Sequence, residues 1–221
     1  MPRQPRIDIA DHFYHIINRA NGRLQIFNTP DDYLLFESLL VEARALTDMR
    51  ILAYVIMPNH WHLMLQPRKD KDISVFMHWL STTHTRKVHI ATDTVGAGHL
   101  YQERYKSFLV DSDNYLLSVI KYIERNPVRA RLVEKCEDWQ WGSALKRVQR
   151  NPDTFVSDPP MILPQQYVIW INTEDRKEEL ISLRQSVNKG VPYGRTSWVE
   201  VMARQYKLES SLREPGRPKK N

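Results

Sequence analysis

One cysteine, Cys136, stands among 221 residues, so the chain can form no internal disulfide and no zinc site built on several thiolates. Its expected place is that of a small, semi-buried side chain. Glycine is scarce, at seven residues, and no Gly-rich phosphate loop is present. No apolar run approaches the roughly 18 residues of a membrane helix, and Met1 to Arg6 leads into polar sequence rather than a signal peptide. These absences point to the cytoplasm as the place of action. Internal repeats are missing as well.

What is present fits a globular chain, with 42% hydrophobic and 26% charged residues. The net charge of +6 and a pI near 9.4 favour a polyanionic partner. Phe13 to Arg19 alternates as a strand does, and Asn21-Gly22 is a turn signal. Thr29 is placed to cap a helix that has Pro30 at its first position and Asp31 and Asp32 at its positive end. Apolar spacing carries this helix to about Leu46. Ile51 to Ile56 is rich in β-branched and aromatic residues, and Pro58-Asn59 turns it into a second strand from about His60. A helix is expected from Ile73 to Ile90, a last strand within Leu100 to Val110, and a helix from Asn114 or Tyr115 to about Arg125, ended by Pro127. The expected fold is α+β, a ferredoxin-like antiparallel sheet with two helices on one face.

Three features carry chemistry. In a strand, His60 and His62 point to one face and Trp61 to the other, so two imidazoles sit together as the start of a divalent-metal site while Trp61 packs in the core. On the helix after the last strand, Leu116, Val119, Ile120 and Ile123 form the buried stripe, with Tyr115, Tyr122 and Asn126 along its edge. Asp111 to Asn114 offers capping chemistry ahead of it. His78, His84 and His89 read as solvent or phosphate neighbours rather than ligands.

Tyr14-His15-Ile16-Ile17-Asn18-Arg19, Tyr54-Val55-Ile56-Met57-Pro58-Asn59-His60-Trp61-His62-Leu63, Arg104-Tyr105-Lys106-Ser107, Tyr115-Leu116-Leu117 and Tyr122-Ile123-Glu124-Arg125-Asn126-Pro127-Val128-Arg129-Ala130 follow in this order. The set resembles the REP-associated tyrosine transposases, bacterial relatives of the single-tyrosine HUH transposases, over about residues 12 to 145. The resemblance implies cleavage and joining of single-stranded or hairpin DNA from palindromic repeats. His60 and His62 would hold Mg²⁺ or Mn²⁺, and Tyr115 would attack phosphorus to form a 5′-phosphotyrosine link. In the related insertion-sequence transposases a polar residue one turn after the tyrosine completes the metal site. Counted from Tyr115 that position is Val119, which cannot ligate, so Tyr122, Glu124, Asn126 or a water stand as candidate third ligands. A monomer is expected, with a dimer as the alternative.

Arg19, Arg23, Arg104, Lys106, Arg129 and Arg131 are the candidate DNA contacts on the catalytic domain, expected over residues 1–148. A linker at 149–164 is marked by Pro152, Pro159, Pro160 and Pro164, and Trp139 and Trp141 close the core before it. Two helices, Asp175 to Val187 and Ser197 to Tyr206, belong to an accessory module at 165–209 resting on the catalytic domain. A flexible basic tail at 210–221 contains Gly216-Arg217-Pro218, similar to the AT-hook that lays arginine in the minor groove. Two other classes compete with the transposase reading. A non-catalytic nucleic-acid binder would have no need of His60, His62 and Tyr115 together, and a metal-dependent phosphodiesterase would survive loss of the tyrosine hydroxyl.

Overall fold

The computed structural model describes residues 6–96, 98–150 and 154–212. Strand β1 (Phe13–Arg19) leads to helix α1 (Pro30–Thr47), the hairpin β2 (Arg50–Met57) and β3 (His60–Gln66), helix α2 (Asp72–Ala91) and strand β4 (Lys106–Val110). The four strands are antiparallel to their neighbours in the order β2-β3-β1-β4, which is the ferredoxin-like arrangement. The last strand is shorter than its apolar stretch suggested, because Tyr101 leaves the sheet and makes only an isolated bridge to Ala20.

Local chemistry sets the ends of these elements. Thr29 and Asp32 form a capping box, in which the Asp32 carboxylate accepts from the Thr29 N–H at 2.8 Å. Met57 pairs with His60 across the two-residue Pro58-Asn59 turn, and this fixes which face every later β3 side chain takes.

Both faces of the sheet are covered. On one, Tyr14, Ile16, Ile56, Trp61, Leu63 and Leu65 pack with Phe36, Leu39 and Leu40 of α1 and Phe76, Met77 and Leu80 of α2. On the other, Val55, Met57, Met64, Phe108 and Val110 meet helix α3 (Asn114–Glu124) through Leu116, Val119, Ile120 and Ile123. Those four side chains are completely buried, a contribution of about 6–12 kcal/mol as an upper bound. Cover on both sides explains why β2 is apolar almost throughout rather than alternating. Asp113 caps α3 with no side-chain bond; Asp111 instead binds the Ser112 N–H at 2.9 Å and Arg195 at 2.9 Å.

A short helix, α4 (Asn126–Arg129), follows α3, and α5 (Ser143–Gln149) closes the region in which Trp141 stacks on Tyr33 at 4.7 Å. The described part of the proline-rich stretch lies against β2: Ser157 N–H donates to the Ile51 carbonyl at 2.8 Å. Beyond it come α6 (Tyr167–Asn172), which hydropathy spacing did not signal, then α7 (Lys177–Lys189) and α8 (Thr196–Gln205) near the two expected helices. Tyr193 exchanges backbone hydrogen bonds of 2.8 Å with Leu109 and Asp111, so the accessory segment is tied to the end of β4. Of the expected basic tail at 210–221, residues 210–212 belong to a one-turn helix (Glu209–Leu212), and the part from Arg213 onward, with Arg217, lies outside the described residues.

Candidate active site

Alternation along β3 places His60 and His62 on the face that α3 covers, with ring centroids 5.2 Å apart. His60 is half-buried and His62 is 2% exposed. Each imidazole uses Nδ1 for a hydrogen bond to its own neighbour, His60 to Asn59 Oδ1 at 2.6 Å and His62 to His15 Nε2 at 2.8 Å. Among the described residues, Nε2 of each ring is left for a ligand. Burial, with help from Arg19, holds His60 down at about 4; burial, then the charges of His15, His60, Arg129 and Arg19, holds His62 well below its ordinary value. Both rings are therefore neutral near pH 7, the form that binds metal.

The tyrosine that meets them is Tyr122. Its ring centroid is 5.9 Å from that of His62 and 6.0 Å from that of His15, edge-on to both. Tyr115, expected in that role, lies seven residues earlier, two helical turns and about 10 Å along the axis. It packs on Tyr193 at 5.4 Å. Seven residues return a helix to nearly the same phase, so both tyrosines share a face, and only the docking of α3 on the sheet separates them. The i+4 rule then finds its residue: four positions after Tyr122 stands Asn126. Its Nδ2 donates to the carbonyls of Tyr122 at 3.0 Å and Ile123 at 3.2 Å, which leaves Oδ1 as the free acceptor. Val119, four positions after Tyr115, is completely buried in the apolar stripe of the helix. Glu124 is consumed elsewhere, held by Ser143 at 2.5 Å, Tyr167 at 2.5 Å and Arg147 at 3.2 Å.

No group of three or more His, Cys, Asp and Glu side chains that could hold a metal forms among the described residues. Two imidazoles side by side, with no thiolate, suit a divalent ion that takes its other ligands from oxygen.

Of the basic residues, Arg23, Arg104, Lys106 and Arg131 are exposed and Arg19 is half-buried opposite His60 in register, with Lys106 paired to Glu103 at 3.2 Å. Arg129 is not a free phosphate contact. It lies 4.2 Å over the Tyr122 ring, donates to the Tyr122 carbonyl, and pairs with Asp175 at 3.0 Å. Arg125 binds the same carboxylate at 3.1 Å. A groove of about 780 Å³ beside α2 is lined by Asn18, Arg86, His99, Tyr101 and Arg104 among others. His78 is exposed on this groove, whereas His84 is completely buried, bonded through Nδ1 to the Tyr101 hydroxyl at 2.7 Å. Trp61 is buried on the same side, as expected. Among the described residues no helix is long and apolar enough to cross a membrane.

Comparison with known proteins bears on this site. A REP-associated tyrosine transposase of Haemophilus influenzae is 26% identical over 120 residues, covering 50% of this chain and 68% of the relative. A solved REP-associated tyrosine transposase bound to a REP hairpin superposes with a TM-score of 0.58 at 19% identity, covering 72% of this chain and 92% of the other, and so shares the fold. A solved transposase from Deinococcus radiodurans R1 gives a TM-score of 0.40 at 20% identity over 56% of this chain and 96% of its own. The family described as Transposase IS200 like matches residues 8–126, which hold the whole sheet, both histidines, Tyr122 and Asn126. The chain belongs to the IS200-like transposases, a family of enzymes that cut and join DNA.

Proposed function

We propose that the chain cuts and rejoins single-stranded or hairpin DNA of palindromic repeats through a covalent 5′-phosphotyrosine on Tyr122. The observation that carries this reading is the Tyr122 ring set 5.9 Å from His62, with Asn126 one turn further along the same helix. His60, His62 and Asn126 would hold Mg²⁺ or Mn²⁺, which when bound polarises the scissile phosphate and spreads the charge of the transition state. The hairpin substrate is taken from the relative solved with a REP hairpin and from the exposed cations beside the site.

In the reaction, the Tyr122 hydroxyl oxygen attacks phosphorus and loses its proton to solvent; the bond to the 3′ oxygen breaks, and that oxygen leaves as a 3′-hydroxyl after gaining a proton. The Arg129 guanidinium lies 4.2 Å over the ring and donates to the Tyr122 carbonyl, which holds the tyrosine in place for this step. Arg19, level with His60 on the neighbouring strand, is placed to hold a phosphate oxygen of the incoming strand. The covalent link keeps the phosphodiester energy, so a second 3′-hydroxyl can reverse the step without a nucleotide cofactor. Histidines and tyrosine come from one chain, which suits a monomer.

A gel assay with 5′-tailed hairpin oligonucleotides and Mn²⁺ tests the reading. An adduct is expected with the parent and with Tyr115→Phe, and none with Tyr122→Phe. Cleavage that persists in Tyr122→Phe without an adduct would assign a hydrolytic phosphodiesterase instead.

A further inference from the structure

His15 is completely buried on β1, and the chemistry above makes no use of it. Its Nε2 lies 2.8 Å from His62 Nδ1, with the ring planes 9° apart and the centroids 5.0 Å apart. Phe108 and Tyr122 enclose the ring edge-on at 4.9 and 6.0 Å. The other nitrogen, Nδ1, has no hydrogen-bond partner among the described residues. A buried polar atom without a partner is unfavourable, so if this position served packing alone, phenylalanine would fill it better.

The one side-chain hydrogen bond that His15 makes among the described residues bears on the tautomer of His62. With His62 Nδ1–H donating to His15 Nε2, His62 keeps its lone pair on Nε2 and can ligate. With the donor reversed, a neutral His62 carries its proton on Nε2 and cannot. His60 has a simpler arrangement, because the Asn59 Oδ1 beside its Nδ1 can only accept.

We propose that His15 is a positioning residue for the metal site, accepting the Nδ1–H of His62 and so holding that ring in the plane and tautomer that present Nε2 to the ion. The proposal rests on the reading of His60 and His62 as ligands. It assigns the unpaired Nδ1 of His15 as a structural penalty retained for function, since in this tautomer that atom carries the proton of the ring.

Calorimetric titration of Mn²⁺ into the full-length parent, His15→Phe, His15→Gln and His60→Ala, with thermal unfolding of each metal-free protein, tests the proposal. His15→Phe should keep or raise Tm while weakening Mn²⁺ binding about 10–100-fold, the usual effect of losing such a partner. His15→Gln, whose side-chain oxygen can accept at the Nε2 position, should recover most of the affinity. His15→Leu carries the same comparison if the phenylalanine variant does not fold. Parent-like affinity in His15→Phe, or equal weakness in His15→Phe and His15→Gln, would overturn the positioning role. A parent that binds no Mn²⁺, or binds it no better than His60→Ala, would overturn the ligand assignment and the proposal with it, a pattern distinct from the first two.

Discussion

Asp175 is where the accessory segment reaches the catalytic helix, and Asp175→Ala measures what that contact is worth. The carboxylate is 9% exposed and binds two guanidinium groups, Arg125 at 7% and Arg129 at 16% exposure. Its removal leaves two shielded cations facing each other under the turn that carries Tyr122. Breaking a buried pair by deleting one partner costs about 3–5 kcal/mol. Arg125 would keep the Ile171 carbonyl at 3.0 Å, and Arg129 would keep the ring and carbonyl of Tyr122. The low end, about 3 kcal/mol, is therefore expected. For a chain of this size that is a fall in Tm of about 6–12 °C. Asp175→Asn keeps an acceptor and should lose roughly half as much. Urea denaturation gives the stability, and the rate of covalent adduct formation well below Tm gives the effect on Tyr122, which should slow as Arg129 is freed. A loss under about 1 kcal/mol, the range of exposed pairs, would refute the reasoning on stability. A normal adduct rate in the destabilised protein would refute the link to the nucleophile.

Acid should unfold the protein early. Burial holds His15 and His84 at about 3 and His60 at about 4, whereas in the unfolded chain each binds its proton near its ordinary value. Between these limits the unfolded state holds more protons, so stability falls as pH drops, by about 1.4 kcal/mol per pH unit for each group at full slope. The urea midpoint should be level above about pH 7 and fall steeply from about 6 to 4.5, and a level profile there would contradict the burial of these rings neutral. Gly194→Ala puts a Cβ 2.5 Å from the Asp111 Cβ and 2.6 Å from the Trp198 ring, and should destabilise by about 1–3 kcal/mol in the same titration. Binding to a single strand should lose affinity with salt along a log-log slope near −3.5, about −0.7 for each of Arg19, Arg23, Arg104, Lys106 and Arg131. Arg104→Gln should flatten that slope by about 0.7, and no change would remove Arg104 from the contact surface.

The histidine pair and its support were legible because short-range rules govern them. Pro58-Asn59 sets the hairpin, period two sets the faces, and the apolar run of β2 declares a strand buried on both sides. The burial of His84, expected as a solvent or phosphate neighbour, was missed, although it continues the Ile73, Phe76, Met77 and Leu80 spacing into the core. Sequence periodicity could not choose between Tyr115 and Tyr122, which differ by two turns at the same phase. The signal in favour of Tyr122 is the pair Tyr122 and Asn126 at i and i+4, where the same spacing from Tyr115 meets the apolar Val119. The pairing of Arg129 was not legible because its partner, Asp175, stands 46 residues further on, where only the folded chain brings it close. The bond from His15 to His62 depends in the same way on the register of β1 against β3, which places His62 level with Ile17 and its ring against that of His15.

The central claim is that Tyr122 is the residue that becomes joined to DNA. Lys121 separates the two candidate tyrosines, so trypsin releases them in different peptides, Ser107 to Lys121 and Tyr122 to Arg125. Mass spectrometry of the nuclease-trimmed, trypsin-digested adduct therefore decides between them directly. Nucleotide mass on Tyr122-Ile123-Glu124-Arg125, with the Ser107 to Lys121 peptide unmodified, is the predicted result. Nucleotide mass on the peptide that contains Tyr115 would contradict the account.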